Sequence, residues 1–166
     1  MGVYNVHERL LAAKKSEVGA LIDTVSAGAA DRLWPGAAWP SMALDRGLTV
    51  GSAGGHGPIR YTVAAYVPGT WVRFTFTEPR GFQGFHEFAV LPVDEEHTLL
   101  RHTLAMRPRG LARVMWPLAF RWLHDALLED SLDRAELEVM GTIARRARWT
   151  PYVRFLRALI QLADRR

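Results

Sequence analysis

Two of the six histidines fall where an imidazole could do chemistry. In one stretch His86, Phe88 and Val90 alternate, and in the next Leu100, His102, Leu104 and Met106 do so, which puts each histidine on an otherwise apolar strand face. If the hairpin pairs Phe88 near His102, then His86 lies diagonally from His102, close enough for both to face one ligand. A buried neutral imidazole donates from one nitrogen and accepts at the other. That suits enolisation or dehydration of a β-keto substrate by general acid–base catalysis. The plainer role for the same residues is a core histidine hydrogen-bonded to Tyr61 or to a backbone group. Metal binding by the pair needs another ligand such as Glu78 or Glu87, and strand parity puts Glu87 on the opposite face from His86, so no metal is assigned. The chain has no cysteine, which removes disulfides, thiolate catalysis and Cys-type zinc or iron–sulfur sites. The run from Gly51 to Pro58 lacks a Gly-Lys-Ser/Thr ending and precedes a strand, so it reads as a hairpin turn and not as a phosphate loop. No cofactor is implied.

The elements that must position these residues follow from period and punctuation. Val3 to Ala12 reads as a strand, and Ser16 caps a short helix over 17–25 with Val18, Leu21, Ile22 and Val25 along one stripe. Trp34-Pro35 and Trp39-Pro40 each disfavour helix, so 27–40 is an irregular crossing. From Leu48 the period becomes two, and Gly- and Pro-containing breaks delimit strands over 48–53, 59–67, 71–78, 84–92 and 97–107. Connections this short favour an antiparallel meander. Alternation directs Tyr61, Val63, Ala65 and Val67 to one apolar face, and Val72, Phe74 and Phe76 to the inner face of the next strand.

After Pro108 the pattern turns helical. Trp116, Phe120, Leu123, Leu127, Leu128, Leu132, Ala135 and Val139 form the apolar stripe of one long helix over 112–140; Arg113, Arg121, Asp125, Glu129 and Asp133 line the other side, and His124 flanks the stripe. Pro117 either lies early in this helix or kinks it, and Gly141 ends it. A second helix covers 149–163 with Pro151 in its first turn.

At 166 residues the chain suits one domain with its own core, and the formal charge of +4 is unevenly spread. Residues 145–166 hold seven Arg and one Asp, which is +6 and leaves about −2 for the rest; this argues against nucleic-acid binding by the main body. In the tail Trp149, Tyr152, Val153, Leu156, Leu159, Ile160 and Ala163 are flanked by Arg148, Arg154, Arg157, Arg165 and Arg166. Such a helix packs on its own domain, on a second copy as a homodimer, or on an anionic membrane surface through 148–166. The N-terminus lacks a signal-peptide pattern and no long uncharged apolar run occurs, so the expected location is cytoplasmic, with a peripheral membrane contact as the variant.

Strand, short helix, Gly-punctuated antiparallel strands and a long amphipathic helix together resemble the START-like helix-grip superfamily, which includes polyketide cyclase/dehydrase-like and lipid-transfer proteins. The residues that carry the resemblance are Val50-Gly51-Ser52, Gly57-Pro58-Ile59-Arg60-Tyr61, Tyr66-Val67-Pro68-Gly69, and Phe88-Ala89-Val90-Leu91-Pro92 before Thr98-Leu99-Leu100. It implies an α+β fold in which a curved antiparallel sheet wraps around the long helix, the basic C-terminal helix being additional: a ligand-binding domain over 1–144 and an extension over 145–166. A helix fills only part of a concave sheet face, so a cavity between them follows from the elements as well. The expected function is binding of a hydrophobic small molecule such as a lipid, polyketide or isoprenoid, with Tyr61, Val63, Phe74, Phe76, Phe88, Leu104, Trp116, Phe120 and Leu123 around it. The alternatives are a polyketide cyclase/dehydratase acting through His86 and His102, and a peripheral membrane or protein-interaction module governed by the tail.

Overall fold

The alternating segments form a seven-stranded sheet: β1 (Val3–Leu11), β2 (Ala43–Leu44), β3 (Ala53–His56), β4 (Ile59–Val67), β5 (Trp71–Glu78), β6 (Phe82–Pro92) and β7 (Thr98–Pro108). The computed structural model describes residues 2–163; Arg165 and Arg166 of the basic tail, and the side chain of Ala163, lie outside that description. The strand order is β1-β7-β6-β5-β4-β3-β2, every neighbour antiparallel, so the short turns translate directly into a meander, with β1 closing on β7. Between β1 and β2 lie α1 (Lys15–Ile22) and a 3₁₀ turn, Gly28–Ala30.

The C-terminal helical run is continuous but not uniform. A short α2 (Ala112–Met115) passes through a π-helical turn, Trp116–Phe120, into α3 (Arg121–Met140), and Pro117 sits in the π turn, where a missing amide hydrogen bond is tolerated. Gly141, at φ 72°, takes the left-handed conformation that ends the helix. The core lies between the inner sheet face, α1 and α3, with Val18, Leu21 and Ile22 meeting Phe88, Leu100, Leu128 and Leu132, all buried.

Three expectations need correction. The strand placed at 48–53 starts only at Ala53, because Leu48 to Gly51 belong to turns in which Asp45 accepts hydrogen bonds from Ser52 Oγ (2.6 Å) and Ala53 N (2.9 Å). Gly54 and Gly55, which resemble turn punctuation, are strand residues. A Cβ on Gly54 would lie 1.9 Å from the Ala43 carbonyl, so glycine lets β2 and β3 approach. Second, β4 has a bulge between Val63 and Ala65 that reverses parity: Tyr66 turns toward the core while Val67 is exposed. Third, the polar side of α3 is not simply solvated. β1 turns Asn5, His7 and Arg9 inward, leaving Tyr4, Val6 and Leu10 exposed, and the inward residues meet Asp125, Glu129, Asp133 and Glu136.

A histidine-lined cavity between sheet and helix

Antiparallel register brings the histidine pair together. In the β6–β7 hairpin Phe88 pairs with His102 and His86 with Leu104, so the two imidazoles are diagonal neighbours, and His86 Nδ1 lies 3.3 Å from His102 Nε2. Glu87 points to the other face, where it accepts hydrogen bonds from Trp71 and Arg73. Phe74 and Phe76 stack on the His86 ring at 4.9 and 5.1 Å between centroids, Tyr61 meets it edge-on at 4.8 Å, and Phe88 packs edge-on against His102 at 4.8 Å.

Above the pair a cavity of about 680 Å³ separates the sheet from the helix. Phe76, Leu104, Trp116, Phe120 and Leu123 line it together with both histidines. Tyr61, Val63, Phe74 and Phe88 are fully buried beside this lining and hold it from behind, in the core and not at the cavity surface. The structure thus brings the candidate catalytic pair and five of the nine candidate ligand-binding residues to one space.

Two further histidines border that space. His56, at the end of β3, packs against Trp34 at 4.7 Å and its Nδ1 lies 3.1 Å from Tyr61 Oη. His124, on α3, sits between His102 and Trp116 at ring separations of 5.2 and 5.7 Å, with Nδ1 3.5 Å from Asp125 Oδ1. The crossing that delivers Trp34 is fastened to α3: Arg134 donates to the Trp34 and Asp31 carbonyls, and Ser131 Oγ to the Leu33 carbonyl. Trp39 and Trp149 both donate their indole N–H to Asp130 Oδ2, at 2.7 and 2.8 Å, and the Arg157 guanidinium stacks on both rings at 4.2 Å. This clamp lays α4 (Pro151–Ala163) across the cavity mouth, which Arg157, Ile160 and Gln161 border. The C-terminal helix therefore packs on its own domain, with Val153 buried and Tyr152 Oη donating to the Leu118 carbonyl at 2.5 Å.

Burial dominates the electrostatics. It pushes His56 down to about 3, helped by the neighbouring His124 and by the Arg60 guanidinium, and holds His86 and His102 well below the usual histidine range, the neighbouring imidazoles adding to the effect. His124 is lowered by burial as well, although Asp125 opposes the shift. All four rings are therefore neutral near pH 7, and each presents one donor and one acceptor. Three of their nitrogens, His86 Nε2, His102 Nδ1 and His124 Nε2, are buried without a hydrogen-bond partner among the described residues.

No protein-family model matches the chain, and neither does any curated protein sequence. Solved structures do. Norcoclaurine synthase from Thalictrum flavum, in complex with dopamine and hydroxybenzaldehyde, superposes with a TM-score of 0.64 at 12% identity over 87% of this chain and 90% of that one. A protein from Thermobifida fusca gives 0.62 at 15% identity over 89% and 99%, and CalU16 from Micromonospora echinospora 0.58 at 13% over 96% and 84%. Likeness at this identity speaks to fold alone, and together with the open antiparallel sheet around a long helix it decides the fold. The chain has the helix-grip fold.

Within the helix grip, sequence reasoning did not find His56, Trp34, Leu127 or Arg157 at the cavity, and it left His124 on the flank of the helix. His124 shares the inward face because it lies four residues after Phe120 and four before Leu128, a spacing present in the sequence. The tryptophans were legible only as aromatics beside prolines in an irregular stretch.

Proposed function

We propose that the protein binds a largely apolar, ring-containing small molecule in the helix-grip cavity, with a carbonyl or hydroxyl end held by the histidines. One observation carries this reading: three buried nitrogens on imidazoles that line a largely apolar cavity find no partner among the described residues. Each such group costs roughly 1–3 kcal/mol while unsatisfied, which a hydrogen-bonding ligand recovers. A space of about 680 Å³ is in the range of sites for drug-sized ligands. A protein of the same fold holds two aromatic molecules, dopamine and hydroxybenzaldehyde, in its complex. Tyr61, Val63, Phe74 and Phe88 support the wall in this reading, Phe76, Leu104, Trp116, Phe120 and Leu123 touch the ligand, and residues 145–166 form an extension to a ligand-binding unit over 1–144. Native mass spectrometry of the purified chain, followed by organic extraction, tests the proposal: a stoichiometric apolar adduct supports it, and an empty protein that takes up no apolar compound refutes it.

A second reading, acid–base turnover of a polyketide-like carbonyl substrate, is favoured by the 3.3 Å contact between His86 and His102. A neutral ring accepts a proton from carbon while its neighbour stabilises the new charge or donates to oxygen. His86→Ala and His102→Ala then each lower turnover by about a hundredfold or more while apolar binding persists. A purely structural pair would instead leave turnover unchanged and cost about 1–3 kcal/mol of stability.

A further inference from the structure

At the outer end of the row of imidazoles lies a cluster with a different character. His7 from β1 and His124 and Asp125 from α3 each offer one donor atom, and these atoms lie within 4.8 Å of one another. Asp125 Oδ1 is the centre of the group, 3.1 Å from His7 Nε2 and 3.5 Å from His124 Nδ1. Ligands bound about 2.0–2.1 Å from a tetrahedral zinc ion sit roughly 3.3 Å apart, so the two distances to Asp125 are close to those of a shared metal shell, and the two imidazole nitrogens, within 4.8 Å of each other, close on the ion as it binds.

The surroundings supply what a metal-binding histidine requires. Glu129 lies 2.7 Å from His7 Nδ1 and holds a proton there, so that release of the Nε2 proton on metal binding leaves a lone pair facing Asp125, the carboxylate–histidine arrangement of metal sites. Asn5 donates through Nδ2 to Asp125 Oδ1 at 3.0 Å, while its buried Oδ1 has no partner among the described residues. Rotating that amide by half a turn exchanges its oxygen and nitrogen and brings a fourth oxygen donor beside Asp125. The opposite ring nitrogen, His124 Nε2, is the buried and unpartnered atom at the cavity. Asn5 also forms part of the wall of a second groove, of about 670 Å³.

We propose that His7, His124 and Asp125, completed by Asn5, form a binding site for one divalent transition-metal ion of the zinc type. Two imidazoles and two oxygens are the donor set of borderline metals, not of calcium or magnesium, which take oxygen ligands. A metal on His124 Nδ1 places that ring's proton on Nε2, making it a fixed donor toward the cavity. The ion thereby connects the β1–α3 seam to the ligand space without lining the space itself.

The test is calorimetric titration of the full, untagged chain with zinc chloride, paired with the visible absorption spectrum of the cobalt(II) form. One ion per chain is expected, with a four- or five-coordinate cobalt spectrum. His124→Ala and Asp125→Ala should abolish stoichiometric binding. Glu129→Gln, which keeps every ligand, should weaken it about 10- to 100-fold. His97→Ala, which alters the exposed His97–Asp94 pair, should leave it unchanged. No stoichiometric uptake by the unsubstituted chain, an octahedral aquo-like cobalt spectrum, or uptake lost with His97 and retained without Asp125 would overturn the proposal. The unsubstituted-chain measurements do not depend on whether any variant folds.

Discussion

Burial makes poor bases of His56, His86, His102 and His124, and each of them ties folding to pH in the same direction. An unfolded histidine titrates near 6.5, whereas folded His56 does so at about 3 and the others below their ordinary value, so the unfolded chain binds more protons as the pH falls below 6.5. The stability these four contribute is full above that pH and declines below it. Between pH 6.5 and 5 the urea midpoint should fall steadily, and His56→Phe should flatten the slope; a midpoint independent of pH there would show that these rings are not held neutral. His7 carries the opposite sign: burial works against its charge, but its hydrogen bonds to the Asp125 and Glu129 carboxylates outweigh burial and raise it to about 9, so its contribution is full below pH 6.5 and is lost as the pH rises toward 9. At this scale strand parity made the diagonal approach of His86 and His102 legible, because a hairpin leaves little freedom once its turn is located. The contribution of His7 was not legible, since β1 places its polar set inward and its apolar Tyr4, Val6 and Leu10 outward, the reverse of what alternation in an ordinary half-buried strand means.

The elements around the cavity are held by a few polar fasteners, and these give predictions of their own. Asp130 accepts both indole hydrogens of the Trp39–Trp149 pair, so Asp130→Ala leaves two donors without a partner and loosens α4 and the crossing at once. Unfolding free energy should drop by about 2–4 kcal/mol, and limited trypsin digestion should cut first at Arg148 or Arg154. An unchanged digestion pattern would mean that packing of Val153 and Trp149 suffices to hold α4. Similarly, Asp23 ties the end of α1 to the β4–β5 hairpin by accepting from Tyr66 Oη (2.8 Å) and Gly69 N (2.7 Å). The strands from β4 to β7, the long helix and the final helix were readable from period and punctuation. The two-residue β2, the late start of β3 and the π turn were not, because each depends on backbone approach or on a change of helical pitch that leaves the residue pattern intact.

The whole molecule combines a cavity with a mouth at α4 and an uneven surface. No helix among the described residues is long and apolar enough to cross a membrane. Phe155, Leu159, Ile160 and Leu162 of α4 are nevertheless exposed, as are Leu118 and Trp122 beside Tyr152. Removing 148–166 should preserve the sheet, as read by far-UV circular dichroism, because no strand packs chiefly on α4, while faster release of a bound apolar dye should follow from loss of Arg157, Ile160 and Gln161 at the mouth. Sedimentation of the full and shortened chains, with and without anionic vesicles, separates the two outward roles of the helix. A protein contact through Phe155 and Leu159 persists in salt, and vesicle binding weakens with it.

The central claim is that an apolar ligand occupies the space between sheet and helix and meets the histidines there. Fluorescence titration with the uncharged dye N-phenyl-1-naphthylamine tests it most directly when the unsubstituted chain is compared with Leu104→Trp, which fills the cavity, and with Phe155→Ser, which alters the exposed face of α4. The account predicts saturable one-to-one binding that Leu104→Trp abolishes in a protein that remains folded by circular dichroism, and that Phe155→Ser leaves intact. Binding that survives Leu104→Trp and disappears with Phe155→Ser would contradict it.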